Sequence, residues 1–132
     1  MEQTRTYLVT GGAGFIGSHL CDALLKQKAQ VLCVDNLCDF YDPEIKLANL
    51  RSLLPQPGFH FLRADIRDID AMSSIFREHN IHMVIHMAAM AGVRPSIENP
   101  ALYFDVNVAG TEKLLELCRL HNLKHFIFAS SS

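Results

Sequence analysis

Glycines crowd a short segment near the start of the chain. Gly11, Gly14 and Gly17 recur at three-residue steps, and Gly12 with the latter two also fits the pattern G-x-G-x-x-G. The first glycine permits a tight turn with positive φ, the middle one lets a pyrophosphate approach the backbone, and the last lets a helix pack close to a strand. The spacing indicates a site for the pyrophosphate of a dinucleotide, provided that a strand precedes it and a helix follows.

An acidic residue stands at the distance that this chemistry needs. Asp35 lies 18 residues beyond Gly17, and a carboxylate there can accept hydrogen bonds from the hydroxyls of an adenosine ribose. The same charge repels a 2′-phosphate, and the following Asn36, Leu37 and Cys38 bring no arginine to offset it. NAD is therefore favoured over NADP.

Other interpretations of the glycines are weaker. A P-loop needs lysine where Ser18 stands, and a kinase loop leads into a strand rather than a helix. A tight turn that binds no ligand is the alternative that the sequence leaves open.

The elements that would position these residues alternate along the chain. Short apolar runs, typical of strands buried on both faces, cover Thr6–Thr10, Gln30–Val34, Phe59–Leu62, Met83–Met87 and His125–Ala129. Helical periodicity covers 16–28, 69–76 after a predicted cap at Asp68, and 106–121. We therefore predict an α/β Rossmann-type fold, a doubly wound parallel sheet of about five strands in the order 3-2-1-4-5. A complete fold of this kind has a sixth strand, so we expect residues 1–132 to be the N-terminal part of a longer protein, truncated before that strand and a substrate domain.

Composition excludes several classes of partner. The chain has 132 residues, a net charge of −2 and 49% hydrophobic residues. No strong field favours nucleic acid or an anionic membrane, and no apolar run approaches the ~18 residues that span a bilayer. The N-terminus shows no signal-peptide pattern and the four cysteines show no C-x-x-C spacing, which favours a cytoplasmic protein. The spacing of His79, His82 and His86 suits neither a helix face nor a zinc finger, so we expect no metal site.

Several motifs together resemble the extended short-chain dehydrogenase/reductases of the NAD-dependent epimerase/dehydratase family. They are residues 10–20 (TGGAGFIGSHL), 35–37 (DNL), 65–67 (DIR), 84–89 (VIHMAA) and 128–132 (FASSS), in the family's order. Residues 41–43 and 91–100 look most like UDP-glucuronate 4-epimerases, whereas 35–38 also resembles UDP-galactose 4-epimerases.

The resemblance implies a role for each matching residue. The pyrophosphate and adenosine ribose would be bound at Gly11, Gly14, Phe15, Ile16, Gly17, Asp35 and Asn36. Asp65 and Ile66 would flank the adenine, and Met87, Ala88 and Ala89 would lie against the nicotinamide ribose. Asn107 would organise hydrogen bonds in the site, and Ser131 would be the catalytic serine that bonds the reacting sugar hydroxyl. Arg94, Ser130 and Ser132 would contact the substrate. Each of these residues also has a purely structural alternative, such as a strand-end cap, close packing or an exposed surface position.

The acid/base pair of this family, a tyrosine with a lysine four residues later, is missing. Four residues after Tyr7, Tyr41 and Tyr103 stand Gly11, Ile45 and Asn107. Two hypotheses follow: the chain is part of a longer epimerase whose pair lies further on, or it is an NAD-binding module without catalysis. We therefore expect the 132 residues alone to be inactive.

For the whole enzyme, the resemblance implies C4 epimerisation of a UDP-sugar, with UDP-glucuronate as the expected substrate, through a 4-keto sugar with enzyme-bound NAD. It also implies a homodimer at full length. A nucleotide-sugar dehydratase or decarboxylase, which shares the opening oxidation, is the alternative enzyme.

Overall fold

Five parallel strands form a single sheet in a computed structural model that describes residues 4–131. Their order is β3-β2-β1-β4-β5, which confirms the predicted order and the doubly wound fold. The strands are β1 (Thr6–Thr10), β2 (Gln30–Asp35), β3 (Phe59–Arg63), β4 (Met83–His86) and β5 (Phe126–Phe128). Because every strand pair is parallel, all five carboxyl ends meet at one edge of the sheet.

Helices cover both faces of this sheet. They are α1 (Phe15–Lys26), α2 (Pro43–Leu50), α3 (Ile69–Glu78), α4 (Val93–Glu98), α5 (Pro100–Phe104) and α6 (Gly110–Leu120), and a π-helical turn, Asp105–Ala109, joins the last two. Alternate residues of a strand point to opposite faces. Leu8 accordingly packs in the core beneath α3 and α6, whereas its neighbour Val9 packs in the core beneath α1 and α2. Within residues 4–131, no helix is long and apolar enough to cross a membrane.

Helix boundaries differ from the sequence pattern in two places. The first helix ends at Lys26 because Lys28 adopts a left-handed conformation, with φ at 63°. The helix predicted over 106–121 is in fact α5, the π-helical turn and α6, which together begin at Pro100. Asn99 caps this longer element by accepting a hydrogen bond from the Leu102 amide at 3.2 Å.

Two further elements depart from expectation. α2 and α4 were not predicted, since neither has the long apolar periodicity that marks α3. The prediction that every strand is buried on both faces is wrong for β3, where His60 and Arg63 are exposed, and for β5, where Ile127 and Phe128 are about half exposed. β5 is an edge strand of this sheet, so it has a neighbour on one side only.

Candidate dinucleotide-binding site

The glycine segment forms a tight loop between β1 and α1. Gly11 has φ at 68°, as the sequence predicts, and its amide donates to the Val34 carbonyl at 2.8 Å. A Cβ on Gly11 would lie 2.7 Å from the amide nitrogen of Ala88, at the end of β4. Gly17 is buried and would bring a Cβ into overlap with the Gly11 carbonyl oxygen. Both glycines are therefore required by the packing of the loop itself.

Gly14 differs because a side chain there would be crowded by one backbone atom rather than overlap with several. A Cβ there would lie 3.3 Å from the Gly11 carbonyl oxygen, which would have to move by a few tenths of an ångström, and 4.0 Å from the Tyr41 hydroxyl, an ordinary contact. Gly14 is also the N-cap of α1, with no side-chain capping bond and no acidic residue in the first turn. The amides of Phe15 and Ile16 lie in that first turn, where helical N–H groups have no intrahelical acceptor. This end of α1 suits an anionic group such as a pyrophosphate.

Asp35 faces the glycine loop from the end of β2. Its two carboxylate oxygens accept one amide each, from Ala13 at 3.2 Å and from Leu37 at 2.8 Å. The Lys46 ammonium lies 3.6 Å from the second of these oxygens. Asp35 is buried, but the oxygen bonded to Ala13 retains acceptor capacity for a hydroxyl group.

Asp65, in the next loop, has no such capacity left. Its carboxylate accepts three hydrogen bonds from Arg67, at 2.9, 3.0 and 2.8 Å, and a fourth from the Asn36 side chain at 3.1 Å. The hydrogen bonds from Arg67 lower the pKa of Asp65 to about 2. An adenine amino group would have to compete for these oxygens. The neighbouring Ile66 is buried, with its side chain against Gly110.

A buried chain of hydrogen bonds connects β1, β4 and the start of α6. The Thr10 hydroxyl accepts from the amides of Met87 at 3.0 Å and Ala88 at 3.1 Å, so its own hydrogen is directed at His86 Nδ1, 2.6 Å away. His86 must then carry its proton on Nε2, which faces the Thr111 hydroxyl at 2.8 Å. Neutral His86 thus holds the end of β4 against the glycine-loop strand.

The π-helical turn continues this chain. Thr111 donates to the Asn107 carbonyl at 2.7 Å. It thereby occupies a backbone acceptor at the point where the helical hydrogen bonding changes from the π-helical to the α-helical pattern. The Asn107 amide group also clamps Met90, donating to its carbonyl at 3.0 Å and accepting from its amide at 2.8 Å. Asn107 therefore positions the loop after β4.

Acidic pH should destabilise the domain through His86. Burial lowers its pKa from 6.5 to about 4. Between those values the unfolded chain binds a proton that the folded chain rejects, so stability should be full above pH 6.5 and fall as pH drops towards 4. We expect a loss of about 2–3 kcal/mol over this window, measured by urea unfolding at a series of pH values.

The control for this prediction is a histidine on the surface of the sheet. His60→Gln, on β3 and exposed, should leave the slope of stability against pH unchanged, whereas His86→Gln should flatten it. An equal slope in parent and His86→Gln would show that other groups carry the acid sensitivity.

A cleft of about 620 Å³ lies at the carboxyl edge of the sheet. We call it the carboxyl-edge cleft. The predicted site residues that line it are Gly11, Gly14, Asp35, Asn36, Asp65, Ile66, Met87, Ala88 and Ala89. Gly17 lies beneath the loop, and Asn107 acts through Met90, which is in the cleft wall. The sequence thus predicted the parts of this wall that follow β1, β2, β3 and β4, and not the parts that the loops before α2 and α5 contribute.

Three predicted residues of the described part of the chain lie away from the cleft wall. Arg94 is exposed on α4. In the part of the chain that the structure describes, its neighbour Pro95 lines the cleft and Arg94 does not. Ser130 and Ser131 are exposed beyond β5 and likewise stand apart from the described cleft wall. Ser132 lies outside the described residues.

The sequence analysis missed many residues of this region, and three of them make contacts that shape the site. Lys46 reaches the cleft from α2, which was not predicted, and Thr10 looked like an ordinary strand residue. Tyr103 donates from its hydroxyl to the Ala91 carbonyl at 2.6 Å and so supports the loop after β4. The Thr10 position directly before the first glycine was the one signal that could have indicated a role.

The doubly wound sheet, the glycine loop at a helix N-terminus and the acid at the end of β2 together define a Rossmann-type dinucleotide-binding domain. The chain belongs to the family described as GDP-mannose 4,6 dehydratase, whose profile matches residues 8–132. This match confirms the resemblance to the NAD-dependent epimerase/dehydratase group.

Relatives of this chain include proteins named as UDP-sugar epimerases. The chain is 47% identical over 126 residues to the UDP-glucuronate 4-epimerase of Thermodesulfobacterium geofontis, covering 96% of this chain and 39% of the relative. It is 41% identical over 130 residues to the UDP-glucose 4-epimerase of Drosophila melanogaster, covering 96% and 37%.

A solved structure shows the same arrangement. The crystal structure of UDP-glucose-4-epimerase from Stenotrophomonas maltophila, with bound NAD and formylated UDP-arabinopyranose, superposes with a TM-score of 0.83 at 38% identity. The match covers 97% of this chain and 37% of that one. The chain thus spans less than two fifths of the length of each of these three proteins.

Proposed function

We propose that this chain binds NAD in the carboxyl-edge cleft, as the nucleotide-binding segment, residues 1–132, of a UDP-sugar 4-epimerase. The observation that carries the proposal is that two binding features lie at the same cleft. The uncapped N-terminus of α1 at Gly14 suits the pyrophosphate, and the Asp35 carboxylate, held by two backbone amides, suits the adenosine ribose. The space beside Gly14 is where the pyrophosphate would approach the backbone.

The remaining residues would complete the cofactor site. Ile66 and Asp65 would flank the adenine, with Asp65 acting mainly through its clamp on Arg67 and Asn36. Ala88 and Ala89 would lie against the nicotinamide ribose at the end of β4. When bound, NAD accepts a hydride from a sugar carbon and returns it, so the net reaction consumes no cofactor.

For the whole protein we propose C4 epimerisation of UDP-glucuronate. The 47% identity to a UDP-glucuronate 4-epimerase supports this substrate over UDP-glucose. Ser131 would bond the reacting sugar hydroxyl, and Arg94, Ser130 and Ser132 would contact the substrate. The proton would be transferred by a Tyr-x-x-x-Lys pair outside the 132 residues, in a cytoplasmic homodimer.

Two other functions have an observation in their favour. The family description, GDP-mannose 4,6 dehydratase, favours a nucleotide-sugar dehydratase that opens with the same oxidation. The lack of a lysine four residues after Tyr7, Tyr41 or Tyr103 favours an NAD-binding module without catalysis. Either would bind NAD at the same site.

Titration calorimetry with NAD and NADP tests the proposal. We expect tighter binding of NAD, because a 2′-phosphate would meet the Asp35 carboxylate. Asp35→Ala should weaken NAD binding by about 1–3 kcal/mol, the range for a hydrogen bond to a charged group. The matched control is Asp70→Ala, which removes an exposed carboxylate on α3 and should leave both affinities unchanged. Equal or tighter binding of NADP by the parent would overturn the proposed role of Asp35.

A further inference from the structure

A second groove crosses the opposite end of the sheet from the carboxyl-edge cleft. It has a volume of about 1080 Å³ and lies at the amino ends of the strands, and we call it the amino-edge groove. Its basic lining residues are Arg5, Lys28, His82, His121, Lys124 and His125. Among residues 4–131, no aspartate or glutamate lines it. The groove therefore concentrates positive charge on a chain whose net charge is −2.

The sheet topology places basic residues in a row along this groove. Each member of the row lies just before a strand: Lys28 two residues before β2, Arg5 one before β1, His82 one before β4 and His125 one before β5. These strands are parallel neighbours in the order β2-β1-β4-β5. At a strand spacing of about 4.8 Å, the row spans roughly 14 Å. Lys124 adds a further cation at the β5 end.

The cations of the groove differ from other cations at the same end of the molecule. Within residues 4–131, neither Arg5 nor the two lysines of the groove form an ion pair. By contrast, Lys26 in the last turn of α1 pairs with Asp22 at 2.8 Å, and Arg119 in the last turn of α6 pairs with Glu116 at 2.6 Å. A cation in the last turn already complements the dipole of each helix, so the groove cations are not needed for that purpose.

The carbonyl groups at these helix ends do not explain the groove cations either. Last-turn carbonyls of α1 accept from the amides of residues 27–29, and those of α6 accept from the amides of residues 121–123. Lys28 and Asn122 adopt left-handed conformations, with φ at 63° and 54°, which is a common way to end a helix. The backbone thus caps both helices, and the lysine side chains of the groove have no capping role.

We propose that the amino-edge groove binds an extended polyanion, a chain of three or more phosphoryl groups. Arg5, Lys28 and Lys124 would supply charge along its length. The rings of His82 and His125, whose centroids lie 5.2 Å apart, would donate N–H groups to it. A metal ion fits less well, because the described residues contain no group of three side chains that could hold one. The inference goes beyond the proposed function, since the groove shares no lining residue with the carboxyl-edge cleft.

Calorimetry on the 132-residue chain with inorganic phosphate, pyrophosphate and triphosphate tests this inference, at neutral pH and about 0.1 M salt. A single phosphate contacts only part of the row, so affinity should rise with the number of phosphoryl groups. We expect triphosphate to bind one-to-one, with a Kd at least tenfold below that of phosphate. ATP in the same assay distinguishes the source, because tighter binding than triphosphate indicates a nucleotide and weaker binding indicates free polyphosphate.

Two double variants locate the binding. Lys28→Gln/Lys124→Gln should raise the Kd for triphosphate at least tenfold. The matched control Lys26→Gln/Arg119→Gln removes the same net charge at the ends of the same two helices, outside the groove, and should raise it less than threefold. Thermal unfolding verifies that each variant is folded, and Arg5→Gln replaces Lys28→Gln if the groove variant is not.

The outcomes separate this inference from the proposed function. Equal losses in the groove variant and its control, or equal affinities for phosphate and triphosphate, would overturn the groove as a polyanion site. Displacement of triphosphate by NAD would also overturn it, because the anion would then lie in the carboxyl-edge cleft. A chain that binds triphosphate through the groove but does not bind NAD would support this inference while the proposed function fails.

Discussion

Replacing Gly17 with alanine should strongly destabilise the domain. Gly17 is buried on the first turn of α1, and its Cβ would overlap the Gly11 carbonyl oxygen and lie 2.9 Å from the Cα of Gly12. Both obstacles are backbone atoms of a tight loop, so no side-chain rotation relieves them. Alanine gains about 1 kcal/mol of helix propensity over glycine, whereas overpacking costs about 1–3 kcal/mol even where side chains can adjust. Because backbone atoms cannot adjust in this way, we expect a cost at or above the upper end of that range, and a net loss of about 2–3 kcal/mol by urea unfolding.

Gly14→Ala is the matched control for this prediction. It adds the same methyl group in the same loop, where the nearest atom is the Gly11 carbonyl oxygen at 3.3 Å. Its stability should stay within about 1 kcal/mol of the parent, while NAD affinity should fall at least tenfold because the methyl group occupies the approach to the pyrophosphate. A stable Gly17→Ala protein would mean that the loop packs less tightly than described.

The 132-residue chain should not epimerise UDP-glucuronate. Removing the proton of a sugar hydroxyl needs a base tuned near neutral pH, and such help is worth roughly 10²–10⁴-fold in rate. His86, the buried histidine nearest the cleft, has both ring nitrogens in hydrogen bonds to Thr10 and Thr111. Asp65 has all its acceptor positions filled. Neither is free to take a proton from a substrate.

Chromatography for UDP-galacturonate, after incubation with UDP-glucuronate and NAD⁺, measures this activity. The UDP-glucuronate 4-epimerase of Thermodesulfobacterium geofontis serves as the positive control, and a mixture without protein gives the background. Product from the purified chain above that background would show that a base within these 132 residues performs the chemistry.

The parts of the fold that follow from local pattern were predictable. Short runs such as Gln30–Val34 have the length and composition of buried parallel strands, and right-handed crossovers leave few strand orders for them. The break at the π-helical turn was not predictable, because it depends on Thr111 bonding the Asn107 carbonyl and on Ile66 packing against Gly110. The contact of Ile66 with Gly110 joins segments more than 40 residues apart. The hydrogen bond of Thr111 alters a helix whose apolar period continues unbroken in the sequence.

The site likewise contains residues that were predictable from the sequence and residues that were not. Gly11, Gly14 and Asp35 are recognisable because their chemistry depends on residue type and spacing along one βαβ unit. Lys46 is not, since its contact with Asp35 depends on where α2 crosses the glycine loop and not on a motif. The sequence analysis assigned a ligand contact to both carboxylates, and the structure distinguishes Asp35 from the saturated Asp65.

Amide chemical shifts during NAD titration test the proposed site most directly. In ¹H–¹⁵N spectra of the 132-residue chain, the amides of Gly14, Phe15, Ile16 and Ala88 should shift with a common Kd, as the cofactor occupies the carboxyl-edge cleft. The polar groove at the amino ends of the strands, which Asn80 and Lys124 help to line, should be unaffected. Shifts confined to Asn80 and Lys124, or no shift at the glycine loop at millimolar NAD, would contradict the binding of NAD at this site.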